Sequence, residues 1–330
     1  MTRYVIYGAG AVGGAIGGAL CRHGFEVALI ARGDHGREMA AHGIRVRTPT
    51  SGFAVRPAVV AAPHELTFHR SDVVILAMKS QDTAAALSAL ASVAPSELTV
   101  ACAQNGVNNE REAARLFNNV AAMCVNVPGV HLVPGEIRVH SAPNLGMLHV
   151  GRYPSGSSAT VERLAADLRA AGFDTQVDTA VMRRKYAKLL INLGNAFEAA
   201  CGRAGRSDEL SLPLRREALA CYAAAGIEPL PPDEAERRSF TMVEIDGASY
   251  DGCSSWQSLA RGSGAIEADY LNGEIALLGR LHGVPTPVNE LAQRLANHLA
   301  TTNAAPGSLS VQDVLDQLNA AVEARTPGSR

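Results

Sequence analysis

The stretch YVIYGAGAVGGAIGGAL, residues 4–20, constrains the fold more than any other part of this 330-residue chain. A short apolar run ends in Gly8-x-Gly10-x-x-Gly13, and a helical pattern follows over about Ala11 to Arg22. In such a turn the glycines have separate tasks: a tight bend, close approach of backbone to a pyrophosphate, and close packing of helix on strand. With 31 glycines in the chain the spacing alone would arise by chance about once in four such sequences. Context therefore carries the reading, and the context is a strand before the turn and a helix after it.

The alternation continues through EVALIA (26–31), DVVILAMK (72–79), a helix near 82–92 and LTVACAQNG (98–106). Short buried runs separated by helices predict βαβ units, here a Rossmann-type doubly wound α/β sheet. IRVRTPTSGFAVRPAVV, residues 44–60, reads as a hairpin decorating that sheet. Runs within 121–140 and 144–153 predict further strands, some antiparallel. From about Thr179 helical periodicity replaces strand patterns. The expected division is a dinucleotide-binding domain over 1–178 and an all-helical substrate and catalytic domain over 179–330. The tail after Arg325 is expected to fray.

Formal net charge is −2, with no basic run, so neither nucleic acid nor an anionic membrane is an expected partner. A small molecule is the expected ligand. Six scattered cysteines lack CxxC or His-rich spacing, which argues against structural zinc, any other metal site and a disulfide scaffold. The chain opens directly on the first strand without a leader pattern, and no apolar run reaches membrane-spanning length. These features predict a cytoplasmic protein. A homodimer is compatible with long helices that have apolar faces, though no patch stands out.

The second strand decides which dinucleotide suits the turn. A carboxylate at its end would bind the ribose of NAD, whereas EVALIAR ends in Arg32, whose guanidinium suits the 2′-phosphate of NADP. A solvated loop arginine is the bland alternative. Lys79 and Asn105 close the next two strands, where sheet topology gathers ligand contacts, or else they simply begin loops.

Only three of the 30 basic residues are lysines: Lys79, Lys185 and Lys188. Arginine matches lysine for solubility and ion pairing but cannot release its proton. Lys188 and Asn192 lie four apart on one helical stripe among Leu189, Leu190, Ile191 and Leu193, so a partly desolvated amine there would serve as a proton donor. A solvated basic edge is the competing reading. Lys185, beside Arg183 and Arg184, is assigned to that edge. Downstream, SSWQSLARGSGAIEADYLNGEIALLGRLHGVPTPVN supplies Ser254, Ser255, Glu267, Asp269 and Asn272, with Glu267, Tyr270 and Glu274 at helical spacing. These residues suit either a polar substrate or a capped helix with an acidic face.

Taken in order, GAGAVGG, the lysine of VILAMK, AQNG, the K-L-x-x-N of Lys188 to Asn192, SSWQ, and E-x-D-Y-L-N-G-E followed by H-G-V-P-T-P-V-N resemble the ketopantoate reductase (2-dehydropantoate 2-reductase) family. The resemblance covers nearly the whole chain. It implies NADPH-dependent reduction of a 2-keto acid, foremost 2-dehydropantoate to pantoate in pantothenate and coenzyme A biosynthesis, in a cleft between the two domains. It also implies Lys188 and Glu267 as catalytic residues, and Asn105, Asn192 and Ser255 as substrate contacts. Cofactor contacts would come from Gly8, Ala9, Gly10, Ala11, Val12, Gly13, Arg32 and Lys79, with Asn105 and Glu267 near both ligands.

Three departures concern the substrate rather than the reaction. An asparagine expected eight residues after the lysine is replaced by Ala196, with Asn195 one place early. The usual N-P-L-T-A reads N-A-F-E-A, which introduces Glu198. Gly252, followed by Cys253, stands two residues before the serine pair, where an asparagine is frequent. A reductase of another 2-keto or imino acid therefore stays open, as does a non-catalytic NADP-binding sensor.

Overall fold

The computed structural model describes residues 2–235, 237–250 and 252–323; the tail after Arg325 lies outside them. β1 (Arg3–Tyr7) passes through the glycine turn into α1 (Ala11–Arg22), then β2 (Glu26–Ile30) and α2 (Gly33–His42). β3 (Ile44–Arg47) and β4 (Gly52–Val55) form the expected hairpin. β5 (Ala58–Val60) instead joins the main sheet, parallel to β2. The chain then crosses to the other side of β1 with β6 (Val73–Leu76), α3 (Thr83–Ala91), β7 (Thr99–Cys102), α4 (Asn109–Ala113) and β8 (Asn119–Asn126). There follow β9 (Gly129–Val130), β10 (Glu136–Val139), β11 (Ser141–Ala142), β12 (Met147–Arg152), α5 (Ala159–Ala170) and β13 (Asp174–Val177).

The eight-stranded sheet has the order β13-β12-β8-β7-β6-β1-β2-β5. Only the β12–β8 pairing is antiparallel. Its switch point lies between β1 and β6, because the chain leaves β1 toward β2 and later returns to the opposite side. Ligands of doubly wound sheets bind at that crevice, outside the carboxyl ends of the strands.

The strand residues alternate between two cores. Tyr4, Ile6, Val27, Leu29, Val73 and Ile75 pack on one face with α1 and α5. Val5, Ala28, Ile30, Val74 and Leu76 pack on the other with Leu87 and Leu90 of α3 and Ala113 of α4. Period-two alternation with both sets apolar marks a sheet covered on both sides. β3 and β4 belong to a smaller sheet, ordered β4-β3-β10-β9.

The chain forms two compact units, residues 1–185 with 236–250, and 186–235 with 251–330. The division differs from the expected 178/179 boundary in two ways. It falls inside α6 (Val181–Asn192), just after Lys185. In addition, a late segment returns to the first unit, where Thr241–Met242, β14, pairs antiparallel with β11.

The second unit contains the remainder of α6, α7 (Asn195–Cys201), α8 (Asp208–Ala225), α9 (Pro232–Ala235), α10 (Ser254–Ala260), α11 (Asn272–His282), α12 (Pro287–Thr301) and α13 (Val311–Glu323). No strand occurs in it among the described residues. Gly283, at φ 69°, closes α11 in the left-handed conformation, and Pro287 opens α12. Glycine after a helix and proline at the start of the next are the usual stop and start chemistry.

Candidate active site

The glycine turn has the shape its spacing predicts. Gly8 sits at φ 94°, and a Cβ there would lie 2.5 Å from the backbone nitrogen of Met78. A Cβ on Gly13 would lie 2.1 Å from the Gly8 carbonyl oxygen. At Gly10, by contrast, a Cβ would meet no protein atom within 4 Å, so that face of the turn is open to a ligand. Gly10 caps α1 without a side-chain hydrogen bond, and the first turn carries no acidic residue. Helix amides left without a side-chain acceptor suit a pyrophosphate.

Gly8, Ala9 and Gly10 line a cavity of about 520 Å³, with Arg32, His35 and His64 among its other walls. Arg32 is exposed at the end of β2, and its charge acts on the Tyr7 hydroxyl, whose pKa burial raises. These residues fit a dinucleotide. His35 fixes the turn from outside: its Nε2 lies 2.8 Å from the Ala9 carbonyl oxygen, while its Nδ1 accepts from Gly135 N–H at 2.9 Å. That pattern requires the neutral Nε2–H tautomer, and burial lowers the pKa of His35.

One hydrogen-bond network ties the backbone around the two strand-end polar residues. Half-buried Lys79 precedes the short turn Ser80–Asp82, and Asn105 stands three residues beyond β7. Gln104 Nε2 donates to Thr83 Oγ1 at 2.7 Å and to the Met78 carbonyl at 3.1 Å. Asn109 Nδ2 donates to the Asn105 carbonyl at 3.0 Å and to Ser80 Oγ at 3.2 Å. Thr83 Oγ1 donates to Asn109 Oδ1 at 2.8 Å, closing the ring of bonds.

Lys185 completes this network, and its assignment to a solvated edge is corrected. Its side chain is 3 % exposed, forms an ion pair with Glu110, which is 0 % exposed, and donates to the Gln104 carbonyl at 3.1 Å. Its neighbours divide as the helix turns. Arg183 is exposed, while Arg184 pairs with Asp178 at 2.8 Å.

In the second unit, α6 carries half-buried Lys188 and buried Asn192 one turn apart. Buried Ser255 lies in the first turn of α10. Glu267 is buried too, but the helix expected through Glu267, Tyr270 and Glu274 is broken. Residues 267–270 form a 3₁₀ turn and α11 begins at Asn272, with Leu271 between them at φ −112°, ψ −86°. Glu267 and Glu274 therefore do not share one helical stripe.

The break is held by polar contacts invisible to periodicity. Asn272 Nδ2 reaches the Leu193 carbonyl and Asn289 Oδ1, both at 3.1 Å. Asn289 in turn donates to Glu217 Oε2 at 2.8 Å. Asp269 accepts from Gln293 and Asn297, each at 2.7 Å. The acidic and amide residues of this motif thus bind its own helices together; Asn289 ends the H-G-V-P-T-P-V-N motif, whereas Glu217 had no local sequence signal.

The model of the family described as Ketopantoate reductase PanE/ApbA matches residues 4–155, and that of its C-terminal part matches residues 180–300. The chain belongs to the ketopantoate reductase family. A 2-dehydropantoate 2-reductase of Pyrococcus horikoshii is 26 % identical over 295 residues, 87 % of this chain and 93 % of the relative. The structure of a PanE/ApbA family ketopantoate reductase from Ralstonia eutropha superimposes with TM-score 0.77 at 29 % identity, covering 91 % of this chain and 99 % of that one. A D-mandelate dehydrogenase solved with NADH and anilino(oxo)acetate shares the fold, with TM-score 0.78 at 20 % identity over 91 % and 99 % of the two chains. Membership makes the chain an oxidoreductase. No helix among the described residues is long and apolar enough to cross a membrane.

Proposed function

We propose that the chain reduces a 2-keto acid to the 2-hydroxy acid with NADPH, and that 2-dehydropantoate is the first substrate to test. The observation that carries this reading is the open Gly10 face beside exposed Arg32, in a chain of the ketopantoate reductase family. Gly8 to Gly13, including Ala9, Ala11 and Val12, would hold the pyrophosphate, Arg32 the 2′-phosphate, and Lys79 and Asn105 the far end of the cofactor.

Bound NADPH would supply the hydride that adds to the ketone carbon. The Lys188 ammonium stabilises the negative charge developing on the carbonyl oxygen and then protonates it from Nζ. Ser255 and the amides of Asn105 and Asn192 orient the acid, and Glu267 fixes the bound keto acid against Lys188. Loss of NADPH absorbance across a panel of 2-keto acids tests the reading. Lys188→Ala is expected to lower kcat by about 10² to 10⁴-fold. Tight NADPH binding with no turnover of any keto acid would favour a sensor instead.

A second substrate reading, another 2-keto or imino acid, rests on Asn195, Glu198 and Gly252, which depart from the family pattern. Glu198 and Asn195 both bind Cys253, the residue that follows Gly252.

A further inference from the structure

Asn195, Glu198 and Cys253 meet around Arg206. Glu198 sits on α7, and both its oxygens are engaged. Oε2 pairs with Arg206 Nε, and Oε1 accepts the backbone N–H of Cys253 at 2.9 Å. Arg206 also donates to Asn195 Oδ1 at 2.6 Å and to the Ile191 carbonyl at 3.2 Å. Cys253 Sγ lies 3.5 Å from the Asn195 carbonyl oxygen.

Cys253 is the capping residue of α10, and its sulfur accepts from Trp256 N–H. Burial, and then the Glu198 charge, push its thiol pKa up to about 11, so it acts here as a neutral packing and hydrogen-bonding group. On the other side Gly252 stands at φ 67°, where a Cβ would come within 2.5 Å of the Trp256 ring. The turn that delivers Ser255 is therefore gripped from α7 by a carboxylate and covered by an indole.

The bonds also settle what Glu198 is not. Both of its oxygens are committed within the protein, so it is not poised to contact a keto acid directly. Arg206 likewise fixes the Asn195 amide with its oxygen toward the guanidinium, leaving Nδ2 as the donor edge.

We propose that Glu198 and Arg206 are positioning residues that set the placement of Ser255 and thereby select among 2-keto acids. The inference rests on the proposed reductase activity for its substrate, but the clamp has its own readout. Trp256 is the only tryptophan of the chain, and its ring covers the clamped turn.

The experiment compares wild type with Glu198→Ala, Glu198→Gln and Arg206→Lys, recording Trp256 emission, NADPH affinity, and KM and kcat over a keto acid panel. In Glu198→Ala the emission is expected to shift to the red. KM for the best substrate should rise about tenfold while kcat and the NADPH Kd stay within about twofold, and the rank order of keto acids should change. Glu198→Gln retains an acceptor for Cys253 N–H and should lie between wild type and alanine; Arg206→Lys serves in its place if the alanine variant does not fold.

Unchanged emission and unchanged rank order in both conservative variants would overturn the inference. So would parallel losses of kcat, keto acid affinity and NADPH affinity, the mark of general unfolding. If wild type reduces no keto acid, the reductase reading has failed. The clamp is then decided by whether 2-keto acids shift Trp256 emission in wild type and do so more weakly in Glu198→Gln; no shift overturns it.

Discussion

Replacing Lys185 by methionine is expected to destabilise the first unit by about 3–5 kcal/mol, because it leaves the Glu110 carboxylate buried without its cation. Both partners are shut off from water, at 3 % and 0 % exposure, so solvent cannot take over from the missing ammonium. Glu110 has no reserve either, since its Oε2 has no hydrogen-bond partner. The Gln104 carbonyl loses its 3.1 Å bond from Lys185 as well. At roughly 2–4 °C per kcal/mol for a unit of this size, the melting temperature should fall by about 10 °C. Replacing both partners, Lys185→Met with Glu110→Leu, should recover most of the loss, because the pair's desolvation cost disappears with it. Lys185→Arg must fit a wider planar head into the same closed space and should cost about 1–3 kcal/mol. Denaturant unfolding of wild type, the two single variants and the double variant measures the coupling. A single-variant loss below about 1 kcal/mol, or a double variant whose loss equals the sum of the singles, would refute the reasoning.

Arg32→Ala should weaken NADPH by about 10 to 100-fold and leave NADH nearly unchanged, since the guanidinium's expected partner is the extra phosphate; titration of both cofactors checks it, and equal losses would refute the NADP assignment. His35 is neutral in the fold and its pKa is depressed below the ordinary 6.5, so the unfolded chain binds more protons once the pH falls below that value. Its contribution to stability is therefore full above about pH 6.5 and declines as the pH drops toward the folded value. His149, shifted the same way by burial, adds to the slope, so His35→Gln should flatten only part of the acid-side decline in unfolding midpoint. Gly13→Ala places a methyl 2.1 Å from the Gly8 carbonyl oxygen; it should abolish detectable NADPH binding, measured by fluorescence titration, and a variant that binds normally would show that the turn yields easily.

Most of the sheet was legible because local pattern decides it. The expected helix from Ala11 to Arg22 matches α1, since the glycine turn fixes its start and the next glycine, Gly24, follows its end. The hairpin was read correctly for β3 and β4, whereas β5 looked the same in sequence and joined another sheet, a choice made by the available edge beside β2. Lys185 was misread because its partner lies 75 residues away and its neighbours Arg183 and Arg184 suggest water. The scarcity of lysine marked the position without revealing its environment. The break at Leu271 escaped for a related reason, since helical spacing persists through it and the Asn272–Asn289–Glu217 contacts that hold it come from two other helices. At Asn195, Glu198 and Gly252 the residues looked like independent departures from a pattern. The hydrogen bonds of Asn195 and Glu198 to Cys253, next to Gly252, make them parts of one group, which no linear spacing expresses.

The short pairing of β14 with β11 bears on how the chain is made. Residues 236–250 belong to the first unit, so a ribosome that has synthesised everything through α6 has not yet supplied all of that unit. Completion waits for 58 more residues, from Asn192 to Tyr250, and α7, α8 and α9, which belong to the second unit, emerge in the interval. A protein cut after Lys185 would reproduce the main sheet and the glycine turn while lacking the strand partner of Ser141 and Ala142. The units are therefore interleaved in the order of synthesis, and shuffling them between genes as whole modules would require three junctions where a simple tandem arrangement needs one.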